Sequence, residues 1–132
     1  MTDSNQAKLK ARLSRKAYEV TQNKATEAPF SGAFVNHHED GMYNCVVCGQ
    51  QLFASDAKFD SHSGWPSFDQ ALPDTTKLVM DTSHGMQRTE VVCSNCGSHL
   101  GHAFDDGPSE TTGQRLCINS CALDFEEKPK NS

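Results

Sequence analysis

Polar and apolar residues alternate from Arg115 to Asn119 within the segment Q-R-L-C-I-N, which begins at Gln114. Successive side chains of a β-strand point to opposite faces of the sheet, so Leu116 and Ile118 would face a core. The opposite face would carry three polar or reactive side chains, those of Arg115, Cys117 and Asn119. The pattern therefore predicts a strand that packs on one side and presents a thiol beside a guanidinium on the other.

Similar patterns predict the other elements of the chain. Ser14 suits a helix N-cap, and a helix is predicted from there to about Asn23. Asp40-Gly41 favours a tight turn, which predicts a hairpin of Ala33–Asn36 with Met42–Val47. Two more strands are predicted, at Lys77–Asp81 and Gln87–Val92.

Four of the six cysteines form two C-x-x-C-G motifs. Each pair can chelate one ion from a tight turn, and together they supply four thiolates, the set typical of a closed tetrahedral zinc site. The alternatives are two redox-active pairs or two local disulfides, and the repetition of one motif favours zinc. Because four protein ligands leave no position for substrate, the predicted zinc is structural. Its ligands would be Cys45, Cys48, Cys93 and Cys96.

Cys117 lies outside these pairs and has two interpretations. A neighbouring guanidinium favours thiolate over thiol, and the thiolate is the nucleophilic form of cysteine. The alternative is a buried cysteine that acts as a small apolar side chain. Since Leu116 and Ile118 already occupy the inner face of the predicted strand, the pattern favours a nucleophile.

Two histidines and one tryptophan are further candidates for a site. His99 and His102 lie in H-L-G-H-A-F and could bind a metal or donate protons, since histidine titrates near neutral pH. Either could equally be a structural histidine. Trp65 lies in the loop G-W-P-S-F, where it could cap the core or form part of a binding surface. The residues alone leave these alternatives open.

Length and charge restrict the class of protein. The 132 residues suit a single domain over residues 1–132, with residues 1–12 as a loose tail. The net charge of -5 argues against a nucleic-acid partner, and no apolar run is long enough to predict a membrane span. The amino-terminal segment has no apolar signal core, so we expect a cytoplasmic protein, and we also expect a monomer.

The order of the motifs is more specific than any one of them. V-T-Q-x-x-A-T-E-A-P-F-S-G comes first, followed by the first C-x-x-C-G, G-W-P-S-F, the second C-x-x-C-G, H-L-G-H-A-F-D-D-G and R-L-C-I-N-S. This series resembles the B-type methionine sulfoxide reductases, which reduce the R epimer of the sulfoxide. The resemblance extends from about Leu13 to Phe125.

The resemblance implies a fold, a set of site residues and partners. The implied fold is mainly β, with two small antiparallel sheets in a tent-like or barrel-like arrangement, short N-terminal helices and a zinc ribbon-like site. The implied substrate is methionine sulfoxide in proteins, and the implied reductant is thioredoxin or another thiol. Cys117 would become a sulfenic acid during turnover. The implied catalytic residues are Cys117, His102, His99, Asn119 and Arg115, and the residues implied to hold the methyl group are Trp65 and Phe104.

Two other classes of protein share parts of this pattern. A zinc-ribbon binding module would explain the four paired cysteines but gives no reason for Cys117 beside Arg115. A thiol oxidoreductase that acts on disulfides would need one C-x-x-C pair as its redox centre, which bound zinc forbids.

The chain also departs from the family. Many relatives resolve the sulfenic acid with a second cysteine, but this chain has Ser31 and Ser63 at the two corresponding positions. Cys121 remains, yet in a continuous strand its Cα would lie about 13 Å from that of Cys117, beyond the roughly 7 Å limit for a disulfide. The apolar phase also shifts after Asn119, which predicts a bulge that turns Cys121 into the core. We expect Cys121 to be inert.

Overall fold

The computed structural model describes residues 11–23, 25–26, 28, 30, 32, 34–35, 37, 39–59, 64–82, 88–107 and 112–127. Within these residues the fold is mainly β, with one helix and two antiparallel sheets, as expected. The helix α1 is Arg15–Asn23. The strands are β1 Gly41–Cys45, β2 Gln51–Ala54, β3 Lys58–Phe59, β4 Ser67–Phe68, β5 Thr76–Asp81, β6 Arg88–Cys93, β7 His99–Phe104, β8 Arg115–Ile118 and β9 Leu123–Glu127.

The two sheets have three and six strands. The three-stranded sheet has the order β2-β1-β9, and the six-stranded sheet has the order β3-β4-β8-β7-β6-β5. The predicted strands at Lys77–Asp81 and Gln87–Val92 correspond to β5 and β6, which pair with each other. Strand β8 lies inside the larger sheet, between β4 and β7, so side chains on its two faces meet neighbours from both sides.

The predicted hairpin of Ala33–Asn36 with Met42–Val47 is wrong. Residues 34 and 35 form a turn, and β1 instead pairs with β2 on one side and with β9 on the other. In β9, Phe125 lies opposite Tyr43 of β1, far away along the chain. The Asp40-Gly41 signal marks the start of β1 and does not mark a hairpin.

Helix α1 begins where the sequence predicts. Ser14 Oγ accepts a hydrogen bond from the Ala17 backbone N–H at 3.1 Å, which is the N-cap contact. Ala17, Val20 and Thr21 are buried and pack the helix against β7 and the turn after β8. Most of the predicted loose tail, residues 1–10, lies outside the described residues, while residues 11 and 12 are helical. No helix in the described part of the chain is long and apolar enough to cross a bilayer.

Aromatic side chains join the two sheets. Phe53 of β2 stacks on Phe68 of β4 with ring centroids 4.4 Å apart, and Tyr43 of β1 meets Phe68 edge-on at 5.2 Å. All three side chains are fully buried. Truncating one such ring to alanine typically costs about 3 to 5 kcal/mol of unfolding free energy, so this cluster holds the two sheets together.

Strand β8 has the predicted alternation. Leu116 and Ile118 belong to the core. Opposite Ile118 on β7 lies Gly101, where a β-carbon would overlap the carbonyl oxygen of Cys117. Glycine is therefore the residue that lets β7 approach β8 at the level of Cys117.

After β8, the alternation of buried and exposed residues shifts by one position, but the structural cause differs from the predicted bulge. A 3-10 turn, Ser120–Ala122, replaces the expected bulge. Ala122 is fully buried, whereas Cys121 is half-buried beside α1, with its Sγ 3.8 Å from the Lys16 carbonyl oxygen. All six cysteines lie in the described part, and none of them forms a disulfide there.

Candidate active site and metal-ligand cluster

Cys117 lies in a row of side chains that crosses the six-stranded sheet. Its cross-strand neighbours are Ser67 on β4 and His102 on β7, and His102 is in turn opposite Glu90 on β6. Directly opposite residues of an antiparallel pair share one face of the sheet. Ser67 Oγ lies 3.6 Å from Cys117 Sγ. The register therefore brings the thiol and a histidine together on one face.

Arg115 contacts the thiol from within the same strand. Its Nη1 donates to Cys117 Sγ at 2.8 Å, while Nε and Nη2 donate to the two carboxylate oxygens of Asp106 at 2.7 and 3.1 Å. The guanidinium carbon also lies 4.4 Å above the centre of the Phe104 ring. The hydrogen bonds from Arg115 lower the pKa of Asp106, and the hydrogen bond to Asp106 raises the pKa of Arg115, against the opposing effect of partial burial. Arg115 is thus a fixed cation beside the sulfur atom.

The two histidines lie in different surroundings. His99 Nδ1 is 2.8 Å from Glu90 Oε2, and the side chains of this pair are only 2% and 3% exposed. His102 Nε2 is 2.9 Å from Asp81 Oδ2, with 11% and 10% exposure. The two imidazole rings meet edge to face at 5.3 Å. Each histidine therefore has its own carboxylate, and His102 is the more accessible of the two.

A cavity of about 340 Å³ opens at this face. It is lined by Thr26, Trp65, Arg88, Gly101, His102, Phe104, Arg115, Cys117 and Asn119. Its volume is in the range of small-molecule sites, and it combines aromatic walls with a thiol, a histidine and two cations. His99 is not among the described lining residues and lies behind His102.

A larger hollow of about 460 Å³ lies on the three-stranded sheet, between the ends of β1, β2 and β9. Four carboxylates, those of Asp40, Asp56, Glu126 and Glu127, are among its lining residues. The described residues around it include neither a thiol nor a histidine. We therefore assign the chemistry to the smaller cavity, which contains the candidate nucleophile.

The four paired cysteines come together as predicted. Their sulfur atoms all lie within 4.8 Å of one another, with Cys45 Sγ 3.7 Å from Cys96 Sγ and Cys48 Sγ 3.6 Å from Cys93 Sγ. Cys45 and Cys93 are buried, whereas Cys48 and Cys96 are exposed. This cluster could hold a metal ion. It joins the β1–β2 connection of the smaller sheet to the β6–β7 connection of the larger one.

Both C-x-x-C-G motifs form the same turn. The N–H of Gly49 donates to the Cys45 carbonyl oxygen at 2.8 Å, and the N–H of Gly97 donates to that of Cys93 at 2.8 Å. Both glycines have positive φ angles, 82° and 77°, where other residues are strained. The repeated motif in the sequence is therefore a repeated structure.

The thiols of the cluster compete for protons. A hydrogen bond from Cys45 lowers the pKa of Cys96 to about 4, and the same bond, together with burial, raises the pKa of Cys45. Four thiolates at such short distances repel one another without a cation. A divalent ion removes this conflict, because it keeps all of its cysteine ligands deprotonated.

Comparison with known proteins identifies the family. A family model described as the SelR domain matches residues 13–127. The chain is 52% identical over 132 residues to the peptide methionine sulfoxide reductase MsrB of Variovorax paradoxus, with 96% of each chain covered. It is 55% identical over 124 residues to the protein of that name from Herminiimonas arsenicoxydans, with 93% of this chain and 90% of that one covered.

The chain belongs to the MsrB family of peptide methionine sulfoxide reductases. The resemblance inferred from the motifs is thereby confirmed. The fold is also similar to the crystal structure of the Mis18 Yippee-like domain, with a TM-score of 0.55 over 70% of this chain and all of that one. The identity in that comparison is 15%, so the likeness concerns the fold alone.

Six of the seven predicted catalytic and substrate-binding residues of this MsrB-family chain line one cavity, and the seventh, His99, meets the His102 ring edge to face. Four other polar side chains of the site were not predicted from the sequence: Ser67, Asp81, Glu90 and Asp106. The D-D-G turn gave only a weak indication that Asp106 belongs to the site. The contacts of Asp81 and Glu90 depend on strand register, which the motifs do not give. Ser31 and Ser63 lie outside the described residues.

Proposed function

We propose that this chain reduces the R epimer of methionine sulfoxide in proteins to methionine, with Cys117 as the nucleophile. The observation that carries the proposal is the 2.8 Å contact of Arg115 Nη1 with Cys117 Sγ in the wall of an aromatic-lined cavity. Membership of the MsrB family supports the type of reaction and its stereochemistry.

Activation of Cys117 follows from its neighbours. The thiolate is the nucleophilic form, and an adjacent guanidinium that donates a hydrogen bond to sulfur stabilises the negative charge. Asp106 and the ring of Phe104 hold that guanidinium in place from two further sides. Arg115 would then serve as the activating cation, and Phe104 would use one ring face for Arg115 and leave its edge for the substrate.

The reaction transfers one oxygen atom. The Cys117 thiolate attacks the sulfoxide sulfur, the sulfoxide oxygen gains a proton, and the oxygen passes to Cys117 as the methionine thioether leaves. Cys117 is oxidised by two electrons to a sulfenic acid, and the substrate sulfur is reduced by two. Net, one thiol and one sulfoxide give one sulfenic acid and one thioether.

His102 is our candidate for the proton donor, with His99 in support. His102 lies opposite Cys117 and lines the cavity, while His99 is almost completely enclosed with Glu90. A general acid must reach the atom that it protonates, so the accessible imidazole is the better candidate. His99 would support the His102 ring through their edge-to-face contact.

The remaining cavity residues would position the substrate. Trp65 offers an aromatic surface to the methyl group of the sulfoxide. Asn119 is buried at the cavity, and its Nδ2 donates to the Leu100 carbonyl oxygen at 3.0 Å, between the two histidines of β7. Asn119 would therefore hold the histidine strand in register with β8.

The metal that suits the cysteine cluster is zinc, in a structural role. A tetrahedral ion with Zn–S distances of about 2.3 Å requires S–S distances of about 3.8 Å, close to the two observed pairs of 3.6 and 3.7 Å. Four thiolates fill the coordination shell, so bound zinc would supply stability by joining the two sheets. The site would take no part in the redox step.

Regeneration of Cys117 needs two electrons from outside the cavity. Thioredoxin or another thiol would reduce the sulfenic acid, with release of water and formation of a disulfide. Cys121 lies within the 3-10 turn Ser120–Ala122 and against α1, which disfavours it as the resolving thiol.

The decisive experiment offers the two sulfoxide epimers separately, within a short peptide, with dithiothreitol as reductant. We expect methionine to form from the R epimer and none from the S epimer. Equal consumption of both epimers, or of neither, would contradict the proposal. Cys121→Ser serves as a control that keeps Cys117 and should retain the activity.

A further inference from the structure

We propose that Asp81, on strand β5, is the positioning residue that holds His102 in its proton-donating state. The inference rests on the proposed function, in which His102 protonates the sulfoxide oxygen. Asp81 lies outside the motifs on which the resemblance to the family was based. It reaches the site only through the fold, because β5 and β8 are separated by β6 and β7 in the six-stranded sheet.

The contact itself fixes one ring nitrogen. Asp81 Oδ2 lies 2.9 Å from His102 Nε2, and a carboxylate can only accept, so Nε2 carries the proton of this bond. The other ring nitrogen, Nδ1, is then the one left to serve the substrate. A carboxylate that holds one N–H of an imidazole fixes both its tautomer and its orientation.

The charges around His102 show why a carboxylate is needed. Arg88 and Arg115 line the same cavity, and two cations there oppose a third positive charge on the imidazole. Arg115 is paired with Asp106, and Glu90 is paired with His99. Asp81 is the carboxylate that contacts His102, and it also lies 3.5 Å from Arg88 Nη2. It offsets both neighbouring positive charges.

The described titratable and charged groups around His102 come from four strands. They are Asp81 on β5, Arg88 and Glu90 on β6, His99 on β7, and Arg115 and Cys117 on β8. Removing the charge of Asp81 leaves the two cations in place and takes away the negative charge that contacts the His102 ring. In a pH–rate profile of the Asp81→Asn variant, the decline of the rate at alkaline pH should therefore begin at a lower pH than in wild type.

The test compares Asp81→Asn with wild type in single-turnover reduction of an R-sulfoxide peptide across pH. Asparagine keeps the size and an acceptor oxygen but removes the charge. We expect the rate of sulfenic acid formation to fall by about 10- to 100-fold, which is less than the loss expected when the general acid itself is removed. The KM should stay within about threefold of wild type. The alkaline side of the pH–rate profile, where the rate falls as the pH rises, should move to lower pH. Asp81→Glu should restore its position, and Asp124→Asn on β9 should leave it unchanged.

Two outcomes would overturn the proposal. One is an alkaline limb that stays in place in Asp81→Asn. The other is a further loss of more than about threefold when Asp81→Asn is added to His102→Gln, because a residue that acts through His102 has nothing left to position there.

A second measurement needs no turnover. Nitrogen-15 NMR of the wild-type ring should show neutral His102 with its proton on Nε2, whereas a proton on Nδ1 would contradict the proposal. If the wild-type chain reduced neither epimer, the proposed function would fail, and this measurement would still decide the role of Asp81.

Discussion

His102 and Cys117 lie directly opposite each other on the antiparallel strands β7 and β8. This register places an imidazole beside the sulfur atom on one face of the sheet, while Leu116 and Ile118 fill the core on the other. A nucleophile and a proton donor thus come from two rigid strands, which position side chains more accurately than loops do.

Replacing Cys117 by serine should abolish sulfoxide reduction and leave the fold and the metal content intact. The side chain faces the cavity and is not part of the metal-ligand cluster. Peptide turnover, metal analysis and a melting curve measure the three properties. Residual turnover within about tenfold of wild type would show that Cys117 is not the nucleophile, since loss of a nucleophile costs far more.

Replacing Cys48 or Cys96 by serine should remove zinc and lower the melting temperature by at least about 10 °C, because the free energy of metal binding contributes to folding. These two ligands are exposed, so the substitution itself removes little core packing. Cys45→Ser and Cys93→Ser should lose zinc as well. Cys121→Ser is the matched control and should keep one zinc per chain. An unchanged melting curve in a zinc-free variant would exclude the structural role.

Replacing His102 by glutamine should slow sulfenic acid formation by about two to four orders of magnitude, the usual worth of general acid catalysis. His99→Gln should slow it less and reduce stability more, because it removes the 2.8 Å contact between His99 and the buried Glu90. Single-turnover kinetics and melting curves separate the two effects. A larger kinetic loss for His99→Gln would reverse the two assignments.

Replacing Ser31 by cysteine should create an internal disulfide with Cys117 and speed thioredoxin-linked turnover. Ser31 lies outside the described residues, but nearby Thr26 lines the cavity and Phe30 N–H donates to the Gly64 carbonyl oxygen at 2.7 Å.

After one turnover of the wild-type chain, mass spectrometry should detect a sulfenic acid on Cys117.

The control for that experiment is the double variant Ser31→Cys, Cys117→Ser, which should form no disulfide after exposure to substrate. A disulfide between Cys117 and Cys121 in the wild-type chain would contradict the expectation that Cys121 is inert.

The sequence by itself determined the features that depend on local spacing. The two C-x-x-C-G turns, the capped start of α1 and the two faces of β8 follow from backbone geometry within a few residues. The order of the motifs also determined the family, because many short patterns had to occur together.

Only the tertiary structure decided which distant segments meet. The predicted partner of β1 was wrong because β9, from the far end of the chain, supplies the pairing and buries Tyr43 against Phe125. The contacts of Asp81 with His102 and of Glu90 with His99 likewise depend on strand order and register. Hydrophobic alternation shows which face of a strand is buried, but it carries no information about which strand lies beside it, since every strand offers the same backbone hydrogen bonds.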